Sequence, residues 1–411
     1  MVMNNKIYSL FSVYGIELEY MVVDKTSLEI KPITDEILTK LQGHITNEVE
    51  LDEIAASNEL VLHVIELKTN GPKPSLIKLD TSFHEGIIKI NKLLEFYHAC
   101  LMPAGAHPWL NPKNGIKLWS HGDRSIYETY HQIFNCEGHG WSNLQSTHIN
   151  LPFANDKEFF KLHNAIRVVM ALIPALAAST PFIEGKYTGS LDTRLNYYAL
   201  NQQKIPVISG EVIPEFVVNQ EDYQTSILTP MYKAIAPWDK NNILQYEWLN
   251  SRGAIARFER FAIEIRIMDI QECPLADIAC IAAIAGIIRY LIEHTSLYLE
   301  QPMSCGSLRK IYDHCIIQGL TTEITNKNYL QQVNLPTKSL SARQVWQLLI
   351  EKASQYIDSS HQKTLEQILS RGNLAERLVK IYNKEGQDKK TLHKLYTNLC
   401  DCLQQNKLFM L

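Results

Sequence analysis

Residues 13–22 read VYGIELEYMV, and this segment decides the fold of the 411-residue chain. Its central residues alternate strictly between apolar and acidic side chains: Ile16, Glu17, Leu18, Glu19 and Tyr20. Successive side chains of a β-strand point to opposite faces, so residues 13–23 predict a strand with one apolar and one acidic face. Two carboxylates on one strand face are the first candidates for a functional site.

The same arrangement recurs in three other predicted strands, each with two polar residues two positions apart: Glu66 and Lys68 in 60–69, His148 and Asn150 in 146–153, and Glu264 and Arg266 in 260–270. A sheet with one solvated face is the ordinary explanation of such pairs. A solvated face, however, would accept Lys, Thr, Ser and Glu interchangeably, whereas most of the charged positions here are Glu. Like charges on one face repel each other unless a cation lies among them. The pattern therefore favours a divalent-cation site.

Mg²⁺ takes hard oxygen ligands and usually keeps coordination positions for water and phosphate oxygens. Arg266 lies two residues from Glu264 and would bind phosphate beside the metal, and a simple ion pair between these two residues is the alternative. Glu59 precedes Glu66 by seven residues, so its parity does not fit the same strand face. We expect Glu59 to enter the site from the preceding loop or across a bulge.

Composition and charge exclude several classes of protein. The formal net charge of −4 predicts neither nucleic-acid nor membrane binding. Eight cysteines occur without a C-x-x-C or zinc-finger spacing, and no signal peptide is evident, so we predict a cytoplasmic chain. The apolar runs 168–178 and 278–288 are shorter than the roughly 20 residues that span a bilayer and predict buried helices.

Helical spacing of apolar residues predicts helices over 80–100, 156–179 and 274–297. Pro174 is expected to interrupt the second of these helices. Residues 185–214 are rich in Gly, Pro and polar side chains and predict an ordered loop region. From about Ser307 the pattern is helical, and Ser341 with Gln344 forms a capping-box start.

The nucleotide-binding and hydrolytic motifs that are most easily recognised do not occur. The sequence contains no G-x-x-x-x-G-K-[ST], no G-x-G-x-x-G after a strand, no G-x-S-x-G and no H-E-x-x-H. Any nucleotide must therefore bind largely through metal ions and basic side chains.

Over roughly residues 10–295 the sequence resembles the glutamate–cysteine ligase and carboxylate–amine ligase family. The resemblance rests on segments that occur in this order: VYGIELEYMV, ELVLHVIELKT, GAHPW, LQSTHINLPF, SLDTRLNYY and FAIEIRIMDIQECP. It implies an α+β, glutamine synthetase-like fold, in which a curved, mostly antiparallel sheet forms a funnel with helices outside. We accordingly expect a catalytic ATP- and metal-binding domain over 1–300 and a helical C-terminal appendage over 301–411.

The resemblance also implies roles for individual residues. The implied metal ligands are Glu17, Glu19, Glu59, Glu66, His148 and Glu264, of which the last two serve the metal nearest the ATP phosphates. Arg266 would contact the phosphates and, with Glu264, act in catalysis. Arg194 and Arg257 are candidates for binding a substrate carboxylate or a phosphate. The segment ARFERFAIE leaves open which of Arg252, Arg257 and Arg260 faces the site, and a structural ion pair is the alternative for each arginine.

The implied activity is an ATP- and Mg²⁺-dependent ligase, with Mn²⁺ as the alternative ion, in glutathione biosynthesis. Phosphoryl transfer would convert a carboxylate, that of glutamate, into an acyl phosphate, which the amine of cysteine attacks. Hydrolysis by a single zinc ion would require more His or Cys residues as metal ligands. The remaining alternatives are a phosphagen-type kinase on a related fold and a non-catalytic binding module whose active site is no longer functional. The expected partners are small amino acids or amines, and a homo-oligomer is left open.

Overall fold

A computed structural model describes residues 6–122 and 124–410 of the chain and shows a mixed α/β structure. Within these ranges an eight-stranded sheet contains β1 (Gly15–Asp24), β2 (Glu48–Leu51), β3 (Ile54–Asn58), β4 (Val64–Thr69), β5 (Ala99–Met102), β6 (Ser146–Pro152), β9 (Ala254–Arg257) and β10 (Ala262–Asp269). Two short hairpins pair β7 (Phe182–Ile183) with β8 (Lys186–Tyr187) and β11 (Glu323–Ile324) with β12 (Leu340–Ser341).

The strands of the main sheet follow the order β2-β3-β4-β1-β6-β10-β9, and β5 pairs with the end of β1. All of these pairings are antiparallel. The alternation of β1 explains its central place, because Ile16, Leu18 and Tyr20 are at most 1% exposed and pack in the core. The predicted antiparallel sheet is confirmed, while its funnel shape stays a prediction.

The helices are α1 (Thr34–Gln42), α2 (Leu79–Leu94), α3 (Arg124–Phe134), α4 (His139–Ser142), α5 (Asp156–Met170), α6 (Ile173–Ala177), α7 (Thr193–Tyr198), α8 (Gln220–Tyr223), α9 (Thr229–Ile235), α10 (Pro274–His294), α11 (Leu297–Glu300), α12 (Cys305–Gln318), α13 (Lys327–Gln332), α14 (Ala342–Lys352), α15 (Ser359–Arg371), α16 (Leu374–Glu385) and α17 (Lys389–Gln405). A π-helical turn, Gln224–Leu228, joins α8 to α9. Short 3₁₀ turns are Glu95–Tyr97, Pro206–Ile208, Glu247–Leu249, Phe258–Arg260, Gly319–Thr321 and Ser354–Tyr356.

The long apolar helix α10 lies at the centre of the helical layer, against α2, α5, α14 and α15. Among the described residues it is the one helix whose length and composition would allow it to cross a membrane. Its most apolar window is, however, 83% buried inside the protein. The helix is apolar all round because other helices surround it, and the predicted buried helix is confirmed.

The C-terminal region is helical, as predicted, and the capping box of Ser341 and Gln344 at the start of α14 is confirmed. A single hydrophobic core contains side chains from both sides of residue 300. For example, the indole Nε1 of Trp346 donates to the carbonyl of Leu172 at 3.2 Å. The predicted division into a domain and an appendage stays a prediction.

The predicted strands over 13–23, 146–153 and 260–270 correspond to β1, β6 and β10. The prediction of a strand over 60–69 was too long, because β4 begins only at Val64. The predicted helix over 156–179 is divided into α5 and α6, and Pro174 lies in the first turn of α6.

Two other predictions were wrong in part. The helix predicted over 80–100 ends at Leu94, and the left-handed His98 (φ 52°) turns the chain into β5, which pairs with β1. The predicted loop 185–214 contains the helix α7, because the side chain of Asp192 accepts a hydrogen bond from Leu195 N and caps its first turn. Arg194 is therefore on a helix.

Candidate active site

The strands β4, β1, β6 and β10 bring the predicted polar pairs to one face of the sheet. In the register of β1 with β6, Glu17 lies opposite His148. In the register of β1 with β4, Glu17 lies opposite Lys68 and Glu19 opposite Glu66. The pairs predicted from strand alternation are therefore neighbours in space.

The pairing of β6 with β10 extends this face, because Glu264 of β10 lies opposite Asn150 of β6. The face lines a cavity of about 1140 Å³. This volume lies just above the range of about 300–1,000 Å³ that is typical of small-molecule sites. The cavity is therefore large enough for a nucleotide together with a second small molecule.

His148 is the hydrogen-bonded centre of the acidic face. Its Nδ1 is 2.8 Å from Glu17 Oε2, and its Nε2 is 2.9 Å from Ser146 Oγ. Ser146 Oγ in turn donates to Glu19 Oε2 at 2.9 Å, so it accepts from His148. Burial would lower the pKa of His148, but the hydrogen bond that His148 donates to Glu17 and the charge of Glu19 outweigh it and raise that pKa to about 9. The imidazole is thus a cation at neutral pH and partly neutralises the face.

Glu59 and Glu66 are two carboxylates of this site whose pKa values are raised. Glu59 follows β3 in a loop, as the parity argument predicted. Burial and the charge of Glu17 raise the pKa of Glu66 to about 7, although Ser57 Oγ donates to it at 2.7 Å. Burial, followed by the charges of Glu19 and Glu66, raises the pKa of Glu59 well above its usual value. A cation among these carboxylates would stabilise their charged form, against both the burial and the repulsion that raise these pKa values.

The donor atoms fit a divalent cation. Among the described residues, two groups have ligand atoms within 4.8 Å of one another: Glu17, Glu66 and His148, and Glu19, Glu59 and Glu66. Carboxylate oxygens with one imidazole suit Mg²⁺ or Mn²⁺ better than a thiolate-binding metal. The buried Oδ1 of Asn150, which also lines the cavity, makes no hydrogen bond to any described residue.

Glu264 lies between two arginines. Arg266 donates from Nε to Glu264 Oε1 at 3.0 Å, and Arg257 donates to Glu264 Oε2 at 3.1 Å. Burial would raise the pKa of Glu264, but Arg266 and the other nearby cations outweigh it and lower that pKa to about 2. Both oxygens therefore have partners, and Glu264 belongs to neither candidate metal group. The ion pair between Arg266 and Glu264 exists, and both residues also line the cavity.

The structure separates the three arginines whose placement the sequence left open. Arg257 and the half-exposed Arg260 line the cavity. Arg252 does not line it and forms two hydrogen bonds of 2.6 and 2.7 Å with Glu215. Arg194, on α7, also lines the cavity and is 1% exposed.

Sequence reasoning missed four aromatic side chains that line the cavity, the first two of which lie on α3: Tyr127, Tyr130, Trp141 and Trp248. It also missed Ser146 and Tyr198. Tyr198 follows Arg194 by four residues and so shares its face of α7, a spacing that would have indicated it had the helix been predicted. The aromatic residues carry no local signal, because only packing brings them to the cavity.

Residues 13–397 match the family described as Glutamate-cysteine ligase family 2. The chain belongs to this family. An uncharacterized protein of Archaeoglobus fulgidus is 32% identical over 399 residues, covering 96% of this chain and 100% of that protein. A putative glutamate–cysteine ligase 2 of Ectopseudomonas mendocina is 24% identical over 293 residues, covering 70% of this chain and 68% of that protein.

Solved structures share the fold of this family member. A glutamate–cysteine ligase of Francisella tularensis in complex with AMP superposes with a TM-score of 0.63 at 11% identity, covering 97% of this chain and 89% of that one. A bifunctional glutathione synthetase of Pasteurella multocida gives a TM-score of 0.55 at 13% identity, covering 97% of this chain and 52% of that one. The mixed α/β architecture with an antiparallel sheet is therefore common to these proteins.

Proposed function

We propose that this family member is an ATP- and Mg²⁺-dependent ligase that joins a carboxylate, that of glutamate, to an amine, that of cysteine. The observation that carries the proposal is the sheet face on which Glu17 and His148 lie beside Glu264 and Arg266. Membership of the glutamate–cysteine ligase family supports the choice of substrates.

A carboxylate does not react with an amine at neutral pH, because the leaving group would be an oxide. Transfer of the γ-phosphoryl group of ATP gives an acyl phosphate, whose phosphate leaves readily when the amine attacks the acyl carbon. Charge spreads over the phosphoryl oxygens during this transfer, and fixed cations stabilise it. The pairing of Arg266 with Glu264 holds such a cation in place at the cavity surface.

The proposed ligands of the metal ions are the six residues named from the resemblance, of which the last two would serve the metal nearest the ATP phosphates: Glu17, Glu19, Glu59, Glu66, His148 and Glu264. When bound, Mg²⁺, or Mn²⁺ in its place, would neutralise charge on the ATP phosphates. The chain itself holds the ligand carboxylates in position through hydrogen bonds. Ser146 donates to Glu19, and Asn150 Nδ2 donates to Glu17 at 3.1 Å, so that two of the carboxylates keep their positions. Arg257 and Arg194 are the proposed anion-binding residues.

We also propose a domain organisation and a cellular location for this protein. The sheet would form one wall of a funnel, within a catalytic domain over residues 1–300 covered by the helical region 301–411. The ligase would act in the cytoplasm, in glutathione biosynthesis. Support comes from the eight cysteines, which form no disulfide within residues 6–122 and 124–410, and from the family.

The decisive experiment measures ADP release over a matrix of amino acids and amines, with and without Mg²⁺, and identifies the product by mass spectrometry. The ligase predicts that release requires both an acid and an amine and yields their amide. A phosphagen-type kinase would release ADP with one acceptor and leave a stable phosphorylated product. Absence of Mg²⁺-dependent turnover across the whole matrix would support a binding module and overturn the proposal.

A further inference from the structure

Cys100 and Cys400 bring two thiols together where the sheet meets the C-terminal helix. Cys100 lies on β5 and Cys400 on α17, and these two elements pack against each other. Both side chains are partly exposed and border the same hydrophobic cluster, to which α17 contributes Leu395 and Leu399. A hydrogen bond joins the two thiols, although the residues lie in distant parts of the sequence.

Asn91 of α2 fixes the two elements that carry these cysteines. Its Oδ1 accepts from the backbone N of Leu101, the neighbour of Cys100 on β5, at 2.9 Å. Its Nδ2 donates to Oε1 of Gln404 on α17 at 2.7 Å. Gln404 follows Cys400 by one helical turn, so the two residues share a face of α17. A single side chain therefore holds the strand and the helix in register beside the thiols.

The two thiols differ in how readily they ionise. The hydrogen bond with Cys400 and, to a smaller extent, the charge of Lys25 lower the pKa of Cys100, and they outweigh its burial. The same hydrogen bond, followed by burial, raises the pKa of Cys400 well above its usual value. The thiolate is the attacking form in thiol–disulfide exchange. Cys100 is therefore the nucleophile of the pair, and Cys400 is the thiol that reacts second.

The surroundings of the pair do not suit a metal ion. A structural zinc site needs four ligands, and neither group of candidate metal ligands within residues 6–122 and 124–410 includes Cys100 or Cys400. Cys402 lies two residues after Cys400 and so projects from a different face of α17. Burial raises the pKa of Cys402 to about 11. The chemistry that fits the pair is the oxidation of a dithiol to a disulfide.

We propose that Cys100 and Cys400 form a reversible disulfide by exchange with a low-molecular-weight disulfide. The Cys100 thiolate attacks one sulfur of that molecule, forms a mixed disulfide and expels a thiolate. Cys400 then loses its proton and attacks Cys100 Sγ, which expels the second thiolate. The two expelled thiolates take up the protons that the cysteines lose. The protein thiols are thus oxidised by two electrons, and the small disulfide is reduced to two thiols.

The disulfide would join β5 to α17 covalently. A cross-link between distant positions restricts the unfolded chain, and its effect grows with the length of the loop that it closes. The wall of the large cavity, as far as the described residues form it, includes neither cysteine. We therefore expect oxidation to raise the melting temperature without changing the candidate active site. The proposal does not depend on the proposed function.

The test treats the reduced full-length chain with 2-hydroxyethyl disulfide and maps its unreduced peptides by mass spectrometry. The expected product is the peptide of Cys100 linked to that of Cys400, with a melting temperature at least about 3 °C higher. Dithiothreitol should reverse both changes. Cys400→Ser should instead retain the small thiol as a mixed disulfide on Cys100 and gain no thermal stability.

The matched control is Cys402→Ser, which removes a partly exposed thiol from the same helix. It should form the same cross-link as wild type and show the same rise in melting temperature. A wild-type chain that lacks the cross-link, keeps a mixed disulfide on Cys100 or forms a cross-link through Cys402 would overturn the proposal. The wild-type peptide map decides the question even if Cys400→Ser fails to fold. No readout involves ATP turnover, so failure of the proposed function would leave this result standing.

Discussion

Glu17 of β1 and His148 of β6 lie directly opposite each other, and a hydrogen bond of 2.8 Å joins Oε2 to Nδ1. This contact connects two strands whose sequence positions are far apart. It also keeps the imidazole protonated in the absence of metal, since the pKa of His148 is raised to about 9. A metal ion bound there would replace the proton with a stronger positive charge.

Substitution of Glu17 by Gln should abolish ADP formation and leave the protein folded. With Mg²⁺ at about 100 times its Kd, the wild type should gain about 2.7 kcal/mol of stability, and the variant should gain little. Melting temperatures with and without Mg²⁺ measure this difference. Glu53→Gln is the control, because Glu53 is an exposed carboxylate paired with Lys73 at 2.6 Å and should behave as wild type. Near-wild-type turnover of Glu17→Gln at limiting Mg²⁺ would refute the metal assignment.

An ¹⁸O label in the carboxylate of the acid substrate should appear in inorganic phosphate, one atom per turnover. The acyl phosphate carries that oxygen, and attack by the amine expels it. Arg266→Lys should slow the reaction about 10²–10³-fold, since a point charge replaces the planar guanidinium. Arg309→Lys, in a surface pair with Asp313 on α12, should have no effect. Label found in AMP would indicate adenylation, and label kept in a stable phosphorylated product would indicate a kinase.

Alkylation of the accessible thiols should spare ATP turnover. Among the described residues that line the cavity there is no cysteine. Cys136 is buried, and burial raises its pKa to about 12, so its thiolate is rare at neutral pH. The partly exposed cysteines, Cys100, Cys305, Cys400 and Cys402, should react first. Stoichiometric inactivation that substrate prevents, with the modified residue identified by mass spectrometry, would contradict this prediction.

Asp277→Asn should remove part of the pH dependence of stability. Burial raises the pKa of Asp277 to about 8, although Thr147 and the backbone of Gln271 donate to its Oδ1. The folded state therefore binds more protons than the unfolded state between about pH 4 and pH 8. Stability from this group is complete below pH 4 and falls as pH rises, by at most about 1.4 kcal/mol per unit.

The amide in Asp277→Asn resembles the protonated acid and cannot ionise. Urea unfolding at pH 5.5 and pH 9 should show that the variant gains stability relative to wild type at the higher pH. Asp401→Asn, on the exposed face of α17, is the control and should show no such change. A difference between Asp277→Asn and wild type that is the same at both pH values would refute the prediction.

The polar pairs on β1, β6 and β10 could be predicted because strand alternation is a local property of the sequence. The register that makes neighbours of Glu17 and His148 followed from no local pattern, since it depends on strands separated by more than 100 residues. The helix over 80–100 was predicted too long for the same reason. Its last residues have apolar side chains compatible with a helix, and only pairing with β1 made them a strand.

The sequence by itself determined the faces of the strands, the buried helix α10 and the capping box at α14, because each follows from residues that are close together in the sequence. Only the tertiary structure decided which arginines face the cavity. Arg252 and Arg257 differ by five positions, yet Glu215 holds the first away from the cavity while Glu264 holds the second beside it. The position of a long charged side chain follows the carboxylate that pairs with it, and folding brings that carboxylate from another segment of the chain.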